Sequence, residues 1–262
     1  MDNYMNQYST FTKKMVYRFK STHDGGIADY IKFFMIALKL SIQYNIQIYI
    51  EKNNSILEQH LKLKYTNLYI HNNEIIDFYY CNYDEISNLK ENVYNIITPY
   101  HFYKHFDYNL VHDIQDVFHF SNEVVLNSSK LCSYLNYTSF HLRLGDKFLE
   151  TNANYIQVPQ DIRHYNENNI FKIIEENKDN PILFLCDNNN YKLKIKNKYD
   201  YVHINNIEIG HTSLINTTEQ QILDGVTEFY LLTNSDKIYA CSYSGFSIIA
   251  SKFKNIPLVR LY

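Results

Sequence analysis

Four arginines, Arg18, Arg143, Arg163 and Arg260, stand in a 262-residue chain whose other permanently cationic side chains are all lysine. A planar guanidinium grips a phosphate with two parallel N–H bonds, which a rounder ammonium cannot do. Each arginine in such a lysine-biased sequence is therefore a candidate anion ligand. Arg143 has the most informative setting, His141-Leu142-Arg143-Leu144-Gly145-Asp146. Residues 137–144 read as a strand, which turns Arg143 to the face opposite Leu142 and Leu144 near the strand's C-terminal edge. A guanidinium held there can neutralise a diphosphate, whose charge grows as it departs as a leaving group. The plainer alternative is a structural ion pair between Arg143 and Asp146.

Two further groups sit where strands give way to helices. Ser242-Tyr243-Ser244-Gly245-Phe246-Ser247 follows the apolar run 237–241 and opens a helix. Hydroxyls and unpaired N–H groups at a helix N-terminus favour an anion, although serine and glycine also cap helices with no ligand in view. Asp24-Gly25-Gly26 follows the first strand and looks like half of a dinucleotide loop. No G-x-G-x-x-G is present, which removes the main support for a Rossmann dehydrogenase. His101, His105, His112 and His119 contain an i, i+4 pair but no adjacent carboxylate pair to complete a metal site. The four cysteines, Cys81, Cys132, Cys186 and Cys241, show no C-x-x-C spacing and read as reduced, buried thiols.

These residues need a scaffold, and the apolar pattern supplies one. A strand at 15–20, a loop at 21–26, a helix at 27–44 and a strand at 46–50 form one alternating unit. Residues 53–98 contain only short strand-like runs, and 100–135 reads as largely helical, bridging two halves. From 137 onward strands and helices alternate again, with Ile182–Cys186 apolar throughout, as a strand buried on both faces must be. Such alternation favours parallel sheets with ligands at the C-terminal strand ends. The expected architecture is α/β with two Rossmann-like lobes, 1–135 and 136–262, and a cleft between them. A net charge of −3 offers no electrostatic footprint for nucleic acid. Residues 1–20 lack the apolar core of a signal peptide, and 30–50 carries Lys32 and Lys39, so a cytoplasmic protein without a membrane span is expected. The run Lys192, Lys194, Lys196, Lys198 reads as a solvated face.

Taken together, the motifs resemble the GDP-fucose-dependent fucosyltransferases, the α1,2, α1,6 and protein-O-fucosyl groups with a GT-B-type fold. His141 to Asp146 resembles that superfamily's H-x-R-x-G-D signature, whose first arginine grips the donor's β-phosphate. Ser244 to Ala250 resembles its S-[ST]-F-S-W-W-A segment, with Ile248 and Ile249 in place of both tryptophans. Leu183 to Asp187 resembles the strand ending in an aspartate that contacts the nucleoside. Asp24 to Asp29 stands where the family has G-G-x-G-N-Q, and Glu228 to Asp236 is similar to the helix before the last motif. Leu144 replaces a second arginine found in many members.

The resemblance implies an inverting transferase that moves a sugar, foremost L-fucose from GDP-fucose, to a glycan acceptor, with no cofactor and no metal. Arg143 would stabilise the departing diphosphate. His141, Asp187, Ser242, Ser244, Gly245, Phe246 and Ser247 would bind the donor, and Asp24, Gly25 and Gly26 would meet the transferred sugar or acceptor. Asp24, Asp146 and Glu150 are the candidate general bases. The absence of any D-x-D sequence argues against the metal-dependent GT-A class. The alternatives are the same fold with another donor, such as a UDP-pentose, and a silent sugar- or nucleotide-binding protein.

Overall fold

Two short stretches rich in apolar residues on either side of an amphipathic one build β1 (Lys13–Tyr17), α1 (Ile27–Tyr44) and β2 (Ile46–Lys52). The computed structural model describes residues 1–20, 24–53, 55–111, 113–150, 161–211 and 217–262. Helix α1 buries an apolar stripe that includes Ile31, Phe34 and Leu38. It stops at Asn45, whose left-handed backbone (φ 53) turns its N–H back onto the Ser41 carbonyl. With β3 (Tyr69–His71), β4 (Phe78–Tyr80) and β5 (Tyr94–Ile97) these strands form a parallel sheet in the order β3-β2-β1-β5-β4.

The second sheet follows α2 (Asn122–Leu131) and begins with β6 (Thr138–Leu142), whose five residues are all buried. It continues through α3 (Glu167–Glu176), β7 (Ile182–Cys186), α4 (Asn189–Lys198), β8 (Val202–Ile204) and α5 (Glu219–Leu232). It closes with β9 (Lys237–Ala240), α6 (Gly245–Phe253) and β10 (Leu258–Arg260). The strands are parallel in the order β8-β7-β6-β9-β10. Counted along this part of the chain, that order is 3-2-1-4-5, so the winding reverses between β6 and β9. Open α/β sheets bind ligands in the crevice outside the carboxyl ends of the strands at such a reversal. A core of Phe140, Leu142, Phe184, Ile170, Ile174 and Ile195 packs on this sheet and holds its strand ends in place.

Three expectations change. Residues 100–135 are not one helical bridge: short 3-10 turns at Pro99–Phe102 and Tyr108–Leu110 are followed by the brief helix Ile114–Val117, and only α2 is of ordinary length. Aromatic residues in that stretch pack as turns around α1, as Phe33 does against Phe102, Tyr103 and Phe106. The chain divides into the units Met1–His119 and Phe120–Tyr262, so α2 belongs to the second unit rather than to a lobe ending at 135. There the Asn127 amide donates to Asp224 and Thr227 of α5, at 3.0 and 3.1 Å. Lys192 is not on a solvated face. It is wholly buried, and its ammonium donates to Asn205 and to the Ile207 carbonyl. Among the described residues no helix is long and apolar enough to cross a membrane.

Candidate functional site

Strand β6 is paired as far as Leu142 with Cys186 of β7 and as far as His141 with Ala240 of β9. Residues 143, 187 and 242 therefore leave the sheet side by side at its C-terminal edge. The Ser242 hydroxyl fills the next rung between β6 and β9: it accepts the Arg143 N–H at 3.0 Å and donates to the Arg143 carbonyl at 2.7 Å. That places the backbone of Arg143 at the point where the sheet reverses its winding.

The guanidinium is held by carboxylates. One edge makes a close ion pair with Asp146, and Nη1 lies 3.2 Å from Oδ2 of Asp187. Asp161 stands 4.0 Å from Nη2 and pairs at 2.7 Å with Arg163. Asp187 also accepts the N–H groups of Leu144 and Gly145, at 2.8 and 3.1 Å. It thus fixes both the loop and the side chain that the loop carries. Burial pushes the Asp146 carboxyl above its ordinary pKa, while Arg143 pulls it the other way. The Arg143–Asp146 ion pair that the sequence offered as the plainer alternative is present, and it stands at the strand edge.

Gly145 makes this loop possible. Its φ of +114° belongs to a backbone region used almost only by glycine, and an added Cβ would lie 2.0 Å from the Asp161 carbonyl oxygen. Gly145→Ala is expected to cost about 1–3 kcal/mol from backbone strain alone, with the Asp161 collision adding to it. Urea unfolding of the variant measures this. Wild-type stability in Gly145→Ala would show that the loop is not constrained as described.

Ser244 caps α6, its hydroxyl oxygen accepting the Phe246 N–H at 3.3 Å, and the first-turn N–H groups of α6 open beside the Arg143 loop. Ser247 is buried and donates back to the Ser244 carbonyl, so its hydroxyl braces the turn. Phe246 stacks on His141, with ring centroids 5.2 Å apart and planes 22° off parallel. His141 is buried, and its Nδ1 has no hydrogen-bond partner among the described residues. Burial, reinforced by Arg143, lowers its pKa to about 3.

An imidazole that titrates near 6.5 when unfolded and near 3 when folded gives a definite pH signature. Between those values the unfolded chain binds the extra proton, so stability is full above 6.5 and falls as the pH drops toward 3. His141→Asn should flatten that slope by up to ~1.4 kcal/mol per pH unit, read from urea unfolding between pH 7 and 4.5. Equal slopes in both proteins would contradict a buried neutral His141.

The remaining candidates lie elsewhere. Both Glu150 oxygens accept from Asn189, at 2.8 Å from its backbone N–H and 2.8 Å from its side-chain amide, which ties the carboxylate to the start of α4. In the N-terminal unit the Asp24 carboxylate accepts the Lys20 N–H at 2.6 Å. Gly25 has φ +109°, and Gly26 caps α1 with its N–H on Asp29 at 3.2 Å. Ser21, Thr22 and His23 of that loop lie outside the described residues, as does His112. Among the described residues the other histidines do not gather: His101 contacts Thr98, and His105 stacks on Tyr83 with centroids 4.3 Å apart. Sequence reasoning missed Asp161 and the buried chain from Lys192 through Asn205 to Glu228, joined at 2.9 and 2.9 Å. The scarcity of arginine did flag Arg163. Nothing in the spacing pointed to Asp161.

No family model matches the chain, and no curated protein sequence does. Solved structures do match, the following three at 9–10% identity. A mutant of Arabidopsis thaliana FUT1 in complex with GDP superposes with TM-score 0.63 at 10% identity, covering 100% of this chain and 74% of that one. NodZ alpha-1,6-fucosyltransferase soaked with GDP-fucose gives 0.59 at 9%, covering 92% of each chain. POFUT1 in complex with GDP-fucose gives 0.52 at 10%, covering 95% and 98%. The chain has the GT-B-type fold of these fucosyltransferases, with two mostly parallel five-stranded sheets.

Proposed function

We propose that this chain is an inverting glycosyltransferase that takes L-fucose from GDP-fucose, with the donor held by the unit Phe120–Tyr262. The observation that carries the reading is the Arg143 guanidinium, fixed by Asp146 and Asp187 at the reversal point of a sheet beside the N-terminus of α6. The fold is shared with proteins solved with GDP and GDP-fucose bound.

In this reading the acceptor oxygen forms its bond to the anomeric carbon as the bond from that carbon to the diphosphate oxygen breaks. GDP leaves with the electron pair, and the acceptor's proton passes to a carboxylate. The diphosphate takes over the guanidinium edge on which Asp146 sits, and the Ser244 hydroxyl and first-turn N–H groups of α6 meet its other oxygens. Donors aimed where charge develops, in a place poor in water, do most when they need no reorganisation. Asp187 serves as a positioning residue through Leu144, Gly145 and Arg143 rather than as a direct nucleoside ligand. Phe246, backed by the buried neutral His141 on which it stacks, offers an aromatic wall to the base. Of the candidate bases, Asp146 sits on Arg143 and Glu150 on Asn189, and Asp24 is the third. Asp24→Ala separates that role from donor binding by sparing GDP affinity while lowering transfer.

The test is a thermal-shift panel of GDP, UDP and dTDP, alone and as sugar conjugates, followed by turnover of the stabilising donor with and without EDTA. A specific ligand raises the melting point by mass action. Stabilisation by GDP and GDP-fucose, with turnover that survives EDTA, is expected because Arg143 supplies the positive charge that offsets the departing diphosphate. Preference for another nucleotide, or turnover abolished by chelation and restored by Mn²⁺ or Mg²⁺, would overturn the reading.

A further inference from the structure

A recess opens beside the Arg143 loop, walled by residues that follow β6 and β7 and by the segment 162–165. Its volume is about 330 Å³, at the small end of ligand pockets. Leu144, the residue after Arg143, forms part of its wall, and the segment after Asp161 forms another part. That segment is tied to the sheet edge by the Arg163 N–H on the Leu144 carbonyl at 2.8 Å and by a bridge between Tyr165 and Ser242. The recess is thus built on the same strand ends as the anion site while remaining separate from it.

Its lining is chemically specific. Phe148 and Tyr165 are each 38% exposed, and Tyr165 meets Tyr191 edge-on with centroids 5.7 Å apart. The amides of Asn188 and Asn190 stand at the start of α4 on the same wall, Asn188 bracing the Phe148 carbonyl at 2.9 Å and Asn190 exposed. The two cations of the lining carry no surplus charge into it. Arg163 is paired with Asp161 at 2.7 Å, and Lys194 with Glu167 at 2.6 Å. A recess with aromatic faces, the exposed Asn190 amide, which can both donate and accept, and balanced charge does not select an anion. It suits a neutral polyhydroxylated ring. The C–H face of a pyranose carries partial positive charge and meets the negative face of an aromatic ring, while its hydroxyls pair with amides.

We infer that this recess is a saccharide subsite that binds one neutral sugar ring of the acceptor glycan, set by Phe148, Tyr165 and Asn190. The inference rests on the reading of the Phe120–Tyr262 unit as the donor-binding unit, and it assigns the acceptor's sugar class and its place.

The chain has no tryptophan, so Phe148→Trp introduces a single indole with no background. The full-length variant is titrated with lactose, N-acetyllactosamine, cellobiose and xylobiose, with and without saturating GDP. At least one saccharide should shift the indole emission saturably. Adding Tyr165→Ala should weaken that response at least tenfold while GDP affinity stays within twofold. Saturation-transfer NMR on the wild-type chain with the same saccharides guards against a misfolded variant. No saturable signal from any of the four in either experiment would overturn the subsite, and so would a tenfold loss of GDP affinity in Tyr165→Ala, which would make the recess part of the nucleotide site. GDP that fails to bind while a saccharide still does would count against the donor reading alone.

Discussion

Arg143→Lys is expected to lower turnover of GDP-fucose by roughly 10²–10³-fold, about 2.7–4 kcal/mol in the barrier, while leaving the protein folded. Lysine can still reach one of the carboxylates that surround Arg143, so the buried charges keep a partner and the loop keeps its shape. What it cannot do is hold Asp187 on one edge and present a second, planar edge to a diphosphate. The loss should therefore appear chiefly in kcat, with circular dichroism unchanged. Near-normal turnover in a folded Arg143→Lys protein would remove Arg143 from the chemistry.

Asp187→Ala should act on both fold and site. The carboxylate is buried and serves three groups: the N–H of Leu144, the N–H of Gly145 and the Arg143 guanidinium. Deleting one partner of a buried ion pair leaves the other uncompensated, which typically costs about 3–5 kcal/mol. A fall of that size in urea unfolding is expected, together with weaker GDP binding as Arg143 loses its anchor. Asp187→Asn keeps one acceptor oxygen for the backbone, so it should recover part of the stability without restoring the charge on Arg143. Equal stability of Asp187→Ala and wild type would show that the aspartate does not organise the loop.

Much of this site was legible because its parts follow local rules. The strand-like stretch 138–142 and the wholly apolar run 182–186 read as parallel strands, and their ends bring Arg143 and Asp187 to one edge. Gly145 marks the turn that follows, and the serines before α6 mark its cap. The parts that were not legible depend on tertiary partners. Asp187 could be placed by its strand end, but its role depends on two N–H groups more than forty residues earlier. Lys192 belongs to a run that alternates like a solvated face, yet Asn205 and the Ile207 carbonyl solvate its ammonium inside the unit. Residues 100–135 carry helix-compatible spacing, but their aromatic side chains are used to wrap α1, which breaks the run into turns. Arg163 stood out only through its rarity, and its link to Arg143 runs through Asp161, which no spacing connects to the motif.

The most direct measurement is a crystal structure of the full chain with GDP bound. The expected result places the diphosphate on the Arg143 guanidinium and the first turn of α6, with the base against Phe246 and every contact to the nucleoside drawn from residues 137–262. A diphosphate bound away from Arg143, or a base packed against residues 15–50, would contradict it.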